Sequence, residues 1–118
     1  MLSRSQLLEE LAWRKRPREA IFRELRSYGF DSDVVHFVMP AEAIVEMIDA
    51  RLTDRISEQE LVEWAECFEW RDDVGYPEGR AEALSDVVFC LANPEINYPL
   101  TEVNLRMLKA KCEPRKNA

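Results

Sequence analysis

The apolar residues of the chain recur mostly at intervals of three and four positions, which is the period of an amphipathic helix. Runs in which apolar and polar residues alternate, as in a half-buried strand, are absent. The pattern predicts a first helix over residues 5–14 and a second that begins at Pro17 and ends at Gly29. The apolar positions of these two helices are Leu7, Leu8, Leu11, Ala12, Ile21, Phe22 and Leu25.

The third and fourth helices have clear start signals. Pro40 opens the third helix, while Ser57 and Glu60 have the spacing of a capping box at the start of the fourth. Ile56 and Leu61 stand at the positions of a hydrophobic staple around that box. The predicted core positions are Ala41, Ile44, Met47, Ile48 and Leu52 in the third helix, and Leu61, Trp64, Ala65 and Phe68 in the fourth.

Two more helices follow a loop predicted at residues 72–79. Asn93-Pro94 ends the fifth helix and Thr101 caps the sixth, with Leu100 and Leu105 at staple positions. The predicted core positions of the fifth helix are Leu84, Val87, Val88 and Leu91.

Residues 34–39 fit either a short helix or an extended segment. Pro40 favours the extended form for Met39, which precedes it. Because a lone strand would have no partner in a helical protein, we interpret this stretch as a connector.

Six helices joined by short loops predict an all-α fold, an irregular helical bundle. A chain of 118 residues is long enough to bury one core, so we expect a single domain over residues 1–118. Residues 1–4 and 113–118 are expected to fray.

The net charge of −7 is unevenly distributed. Residues 31–105 contain four Lys or Arg and eighteen Asp or Glu, which gives this part of the chain a charge of −14. Such a field repels nucleic acid and anionic lipid and attracts basic proteins. We therefore expect a protein partner, with no nucleic acid and no membrane.

Three cysteines, Cys67, Cys90 and Cys112, are spaced without any CxxC motif. An odd number inside helix-like segments favours buried core thiols in a reducing compartment. No apolar run approaches the roughly 18 residues of a membrane span, and no secretory leader is recognisable. These features predict a cytoplasmic protein.

The fourth helix and the loop after it carry a concentration of carboxylates opposite the apolar stripe. Like charges this close repel one another, so their accumulation indicates either a surface that meets a basic partner or the solvated face of an acidic protein. Trp70 and Tyr76 would be the apolar anchors of that surface, unless Trp70 folds back into the core. The candidate partner-binding residues are Glu63, Glu66, Glu69, Trp70, Asp72, Asp73 and Tyr76.

Other chemistry has weaker signals. Glu63, Glu66 and Glu69 with Glu82 and Asp86 are reminiscent of the Mg²⁺ sites of all-α nucleotide pyrophosphohydrolases, but their spacing departs from EExxE…ExxD. His36 has no metal-ligand spacing with the cysteines, and the basic run at residues 14–18 is more typical of a helix end than of a nucleic-acid contact. No catalytic motif is present, so we expect no enzyme activity, no metal and no cofactor.

Residues 40–108 resemble small helical immunity proteins of bacterial polymorphic toxin systems, including contact-dependent growth inhibition. The resemblance is carried by Glu63-Trp64-Ala65, by Arg71-Asp72-Asp73 and by Leu91-Ala92-Asn93-Pro94. It implies an immunity protein that neutralises a cognate toxin domain, often a basic nuclease, by stoichiometric binding. The alternatives are a non-enzymatic adaptor that forms a homodimer and an Mg²⁺-dependent hydrolase, with a monomer expected over the homodimer.

Overall fold

The structure is a computed structural model and describes residues 2–28, 34–69 and 71–113. In these ranges the chain forms six α-helices, one short 3₁₀ helix and two strands of two residues each. The predicted all-α class is confirmed. The helices are α1 (Arg4–Ala12), α2 (Arg18–Leu25), α3 (Ala41–Leu52), α4 (Glu58–Glu66), α5 (Ala81–Ala92) and α6 (Glu102–Cys112); the 3₁₀ helix (Arg26–Tyr28) follows α2, and the strands are β1 (Phe37–Val38) and β2 (Val74–Gly75).

The helix starts follow from local side-chain chemistry. Ser57 and Glu60 form the predicted capping box of α4, and the Thr101 hydroxyl accepts a hydrogen bond from the Asn104 backbone N–H at the start of α6. A further capping box joins Ser3 and Gln6 at α1. This box satisfies the first backbone groups of α1, and the expected fraying of residues 1–4 stays a prediction.

Some predictions about helix and chain ends fall outside the described residues. Gly29, the predicted end of the second helix, is one of these, and so are Met1 and residues 114–118, which were expected to fray.

The predicted apolar stripes meet in one hydrophobic core. α4 packs most extensively against α5, and α3 packs against α6. The helix residues predicted for the core are buried, except that Phe22 and Leu52 are only partly buried at its edge. Among the described residues, no helix is both long and apolar enough to cross a membrane.

Trp64 joins α4 to the end of α1. Its indole Nε1 donates a hydrogen bond to the Ala12 carbonyl oxygen at 3.0 Å, and the side chain is buried. The ring also packs at an angle against Phe68, with 5.3 Å between ring centroids. One aromatic residue of the predicted stripe thus fixes where α1 ends relative to α4.

β1 and β2 pair in parallel, which corrects the interpretation of residues 34–39 as a connector without a partner. Phe37 lies beside Val74 and Val38 beside Gly75. The partner strand lies inside the predicted 72–79 loop, and two residues are too few to produce an alternating pattern. A Cβ at Gly75 would lie 3.1 Å from the nearest Val35 side-chain atom, so glycine permits this close approach.

Candidate partner-binding surface

Of the four glutamates of α4, two are exposed without an ion-pair partner among the described residues, and the other two, Glu60 and Glu63, each pair with an arginine. Glu58 and Glu66 are exposed. Glu63 is partly buried, and its Oε2 lies 3.0 Å from Nη2 of Arg18. The charge of Glu63 is therefore balanced within the chain, while Glu58 and Glu66 have no ion-pair partner among the described residues.

Glu69 lies beyond the end of α4 rather than on the helix. α4 ends at Glu66, and Glu69 lies in the turn that follows. The backbone N–H of Glu69 donates a hydrogen bond to the Ala65 carbonyl. Its Oε2 accepts a hydrogen bond of 2.9 Å from Nδ2 of Asn93, the residue that follows α5. Glu69 is partly buried and connects the end of α4 to the end of α5.

Asp73 lies in the protein interior, so its predicted contribution to an exposed acidic surface is wrong. The side chain is 0% exposed and accepts hydrogen bonds from two arginines. We call these three residues, Arg4, Arg71 and Asp73, the buried ion cluster. Nε of Arg71 lies 2.9 Å from Oδ1, Nη2 of Arg71 lies 2.9 Å from Oδ2, and Nε of Arg4 lies 2.8 Å from Oδ2.

The buried ion cluster also sets the protonation of Asp73. Burial alone raises the pKa of a carboxyl group, but the hydrogen bonds from Arg71 and Arg4 oppose it and together hold the pKa of Asp73 below its ordinary value. The carboxylate is therefore charged at neutral pH. It binds Arg4, which is buried at the start of α1.

The remaining predicted site residues, Asp72, Tyr76 and Trp70, do not share one environment. Asp72 is exposed and has no ion-pair partner among the described residues. Tyr76 is partly buried against the core, and burial raises its pKa to about 12, so its hydroxyl stays protonated at neutral pH. Trp70 lies outside the described residues. The structure therefore places Glu66 and Asp72 at the surface, with Glu63, Glu69 and Tyr76 at its margins.

The basic run at residues 14–18, here called the basic segment, is paired with nearby carboxylates. Nη2 of Arg14 lies 3.2 Å from Oε2 of Glu60. Arg16 lies between α1 and α2, with Nη2 at 2.7 Å from Oε1 of Glu10 and Nη1 at 2.5 Å from Oε2 of Glu24. The hydrogen bonds to Glu24 and Glu10 raise the pKa of Arg16. Much of the positive charge of the segment is thus neutralised by the protein itself.

The basic segment and the start of α4 border a shallow groove of about 420 Å³. Its walls combine the arginines of the segment with Glu60, Glu63 and Trp64. Because the guanidinium groups of Arg14 and Arg18 are already bonded to Glu60 and Glu63, the groove contains paired charges.

Candidate metal ligands do not converge: the described residues contain no group of three His, Cys, Asp or Glu side chains placed to hold a metal ion. Glu82 and Asp86 are exposed on α5. The three cysteines are buried, as predicted for core thiols, and burial raises the pKa of both Cys67 and Cys112 to about 11. These thiols are therefore protonated at neutral pH.

In comparisons with known proteins, no family model, no curated protein and no solved structure matches this chain. The resemblance to immunity proteins accordingly stays a prediction.

A second exposed surface, which the sequence did not predict, follows α5. Ile96, Tyr98 and Val103 all expose large apolar side chains there, with Ile96 68% and Val103 76% exposed. Glu95 and Glu102 are exposed in the same stretch. The sequence offers one sign of this surface. These apolar residues lie next to the cap and staple positions of α6 but do not fall on its predicted buried side.

Proposed function

We propose that this protein binds a basic protein partner and that its partner is a toxin domain, which it neutralises by stoichiometric binding. The binding surface includes carboxylates of α4 and of the segment after it, Glu58, Glu66, Glu69 and Asp72, which together we call the α4 acidic face. The observation that carries the proposal is the exposure of Glu66 and Asp72 without an ion-pair partner among the described residues. The toxin-domain part rests on the family resemblance.

The position of Glu66 is unfavourable for helix stability. It is the last residue of α4, whose final turn contains no basic residue. A negative charge at the C-terminal end of a helix meets the negative end of the helix dipole, and this interaction is destabilising. Glu58 is in the first turn, where the same charge is stabilising. Helix formation therefore accounts for Glu58 but not for Glu66, which supports a role in binding.

The arginines near the binding surface are paired elsewhere, so they do not neutralise its carboxylates. Arg14, Arg16 and Arg18 are engaged by carboxylates, and Arg4 and Arg71 bind Asp73 in the interior. Their charges are thus directed to partners within the chain. The α4 acidic face keeps its negative field, which would accelerate association with a basic surface.

The proposal can be tested with the C-terminal domain encoded by the adjacent upstream reading frame. We expect one-to-one binding by titration calorimetry, weaker at high salt than at low salt, together with loss of the toxicity of that domain. If this domain does not bind, the toxin-neutralising function is wrong. A mass by size exclusion that rises with protein concentration would instead support the homodimeric adaptor.

A matched pair of charge-reversal variants locates the surface. Glu66→Lys with Asp72→Lys should slow association at least about 10-fold and reduce its salt dependence. The control, Glu9→Lys with Glu42→Lys, makes the same change in net charge at exposed positions on α1 and α3. Equal effects of the two variants would show that total charge governs binding, and would overturn the assignment of the α4 acidic face.

A further inference from the structure

We propose that Ile96, Tyr98 and Val103 are the apolar anchors through which this protein docks into an apolar cleft on a basic protein. The inference rests on the proposed function for the kind of partner, and it identifies a second part of the binding surface. We call residues 95–103 the anchor loop; it ends in the first turn of α6.

The exposure of these side chains is not explained by the fold. Leu100 and Leu105, from the same stretch, are buried in the core and fix α6 against it. Ile96 and Val103 leave most of their surface in water, and Tyr98 is 40% exposed. Isolated exposed apolar residues are common, but three in one short stretch are typical of an interaction surface.

Asparagine side chains hold the anchor loop in a defined conformation. Nδ2 of Asn97 donates to the Asn93 carbonyl at 2.9 Å, and Nδ2 of Asn104 donates to the Pro99 carbonyl at 2.9 Å. Nδ2 of Asn93 bonds both the Phe89 carbonyl, at 3.0 Å, and Glu69. A loop ordered before binding loses less conformational entropy when it binds, which raises its affinity for a partner.

The charges around the anchor loop indicate the partner. Glu95 is exposed without an ion-pair partner among the described residues, and Glu102 is exposed with a 3.4 Å contact to Arg106. The bond between Asn93 and Glu69 links the loop to the α4 acidic face. Exposed apolar side chains with exposed carboxylates beside them in the chain are complementary to an apolar cleft bordered by Lys and Arg.

The same charges disfavour other occupants. A second copy of the chain also has a net charge of −7, and its anchor loop would present the same carboxylates. An anionic lipid surface would repel Glu95 and its neighbours. A basic protein is the occupant that satisfies both the apolar and the charged parts of the loop.

Val34, Val35 and Val38 form another exposed apolar stretch. This stretch adjoins residues 29–33, which the structure does not describe, so its exposure carries no proposal. It does provide a control, because Val34 and Val38, like Ile96 and Val103, have more than half of their surface exposed.

The test compares two double variants in binding to the C-terminal domain of the adjacent upstream reading frame. Ile96→Ala with Val103→Ala should raise the dissociation rate about 10- to 100-fold and leave the salt dependence of association unchanged. The control, Val34→Ala with Val38→Ala, should leave both unchanged. Thermal unfolding monitored by circular dichroism should be similar for both variants, because the replaced side chains are exposed.

The possible failures are distinguishable. If the unmodified protein binds and Ile96→Ala with Val103→Ala does not alter dissociation, the anchor loop is excluded while the proposed function stands. If the control weakens binding as much, the anchors are assigned to the wrong stretch. If the unmodified protein does not bind the domain, the proposed function fails, and the inference that depends on it fails with it.

Discussion

Arginine and carboxylate side chains meet in two regions of this protein that differ in burial and in the segments they connect. In the buried ion cluster, Asp73 is enclosed and bonds Arg4 from α1 and Arg71 from the segment before β2. In the basic segment, Arg14 and Arg18 pair with α4 at the surface, where water and salt weaken the attraction. The first region is expected to hold the fold together, and the second mainly to balance charge.

The same difference in burial distinguishes two aspartates that are adjacent in the sequence. Asp72 is exposed, and Asp73 is buried between two guanidinium groups. A count of carboxylates along the sequence treats them alike and so overstates the charge available to a partner. Burial and pairing, rather than position in an acidic run, decide which carboxylates can take part in binding.

The largest stability effect is expected from Asp73→Asn. This change removes the charge that balances Arg4 and Arg71 in the interior, and breaking a buried ion pair costs about 3–5 kcal/mol. The free energy of unfolding from urea denaturation provides the measurement. The control, Asp72→Asn, should change it by no more than about 0.5 kcal/mol, as at other exposed sites. Equal effects at the two positions would contradict the contrast between them.

The buried ion cluster should also contribute to acid sensitivity. Because the pKa of Asp73 is lowered in the folded state, its contribution to stability is present above the ordinary pKa of an aspartate, about 3.9, and is lost as the pH falls through the lower folded value. Unfolding free energies measured from pH 6 downwards should therefore decrease more steeply in the unmodified protein than in Asp73→Asn. Parallel pH profiles would show that Asp73 does not couple folding to protonation.

An intermediate effect is expected from Trp64→Phe. The change removes the hydrogen bond to the Ala12 carbonyl and part of a buried ring, and we expect a loss of about 1–3 kcal/mol. This residue lies beside the basic segment, so it tests whether packing rather than ion pairing holds that region. If Trp64→Phe is neutral in urea denaturation while Arg18→Ala is strongly destabilising, the surface pairs matter more than their exposure implies.

The smallest effect is expected in the basic segment itself. A double-mutant cycle with Arg18→Ala and Glu63→Ala should give a coupling energy of about 0.2–1 kcal/mol that decreases with added salt, because both side chains are about one-third exposed. A coupling comparable to the effect of Asp73→Asn would remove the distinction between the two regions.

Much of the fold was predictable because it depends on local patterns. The stripe Leu61, Trp64, Ala65 and Phe68 is buried, and the caps at Ser57 and Thr101 start helices where predicted. The capping box of Ser3 with Gln6 has a spacing that the sequence also shows. Helix periodicity and caps involve residues within a few positions of one another, so one sequence is sufficient to find them.

What the sequence did not predict depends on distant contacts. The burial of Asp73 requires Arg4, and the strand Phe37–Val38 requires Val74–Gly75. Neither partner leaves a periodic signal near the other. The burial of Asp73, which distinguishes it from Asp72, can therefore be seen only in the folded structure. The same holds for the ion pair between Arg18 and Glu63.

The bond between Arg4 and Asp73 has a consequence for synthesis of the chain. The two residues are separated by 69 positions, and at about 5–20 residues per second roughly 3–14 s pass between their addition to a growing chain. During that interval the nascent α1 has an apolar side and a cation whose interior counter-ion does not yet exist. α1 can already pack against α2, which follows it directly in the chain, but the bond between Arg4 and Asp73 can form only after Asp73 has left the ribosome.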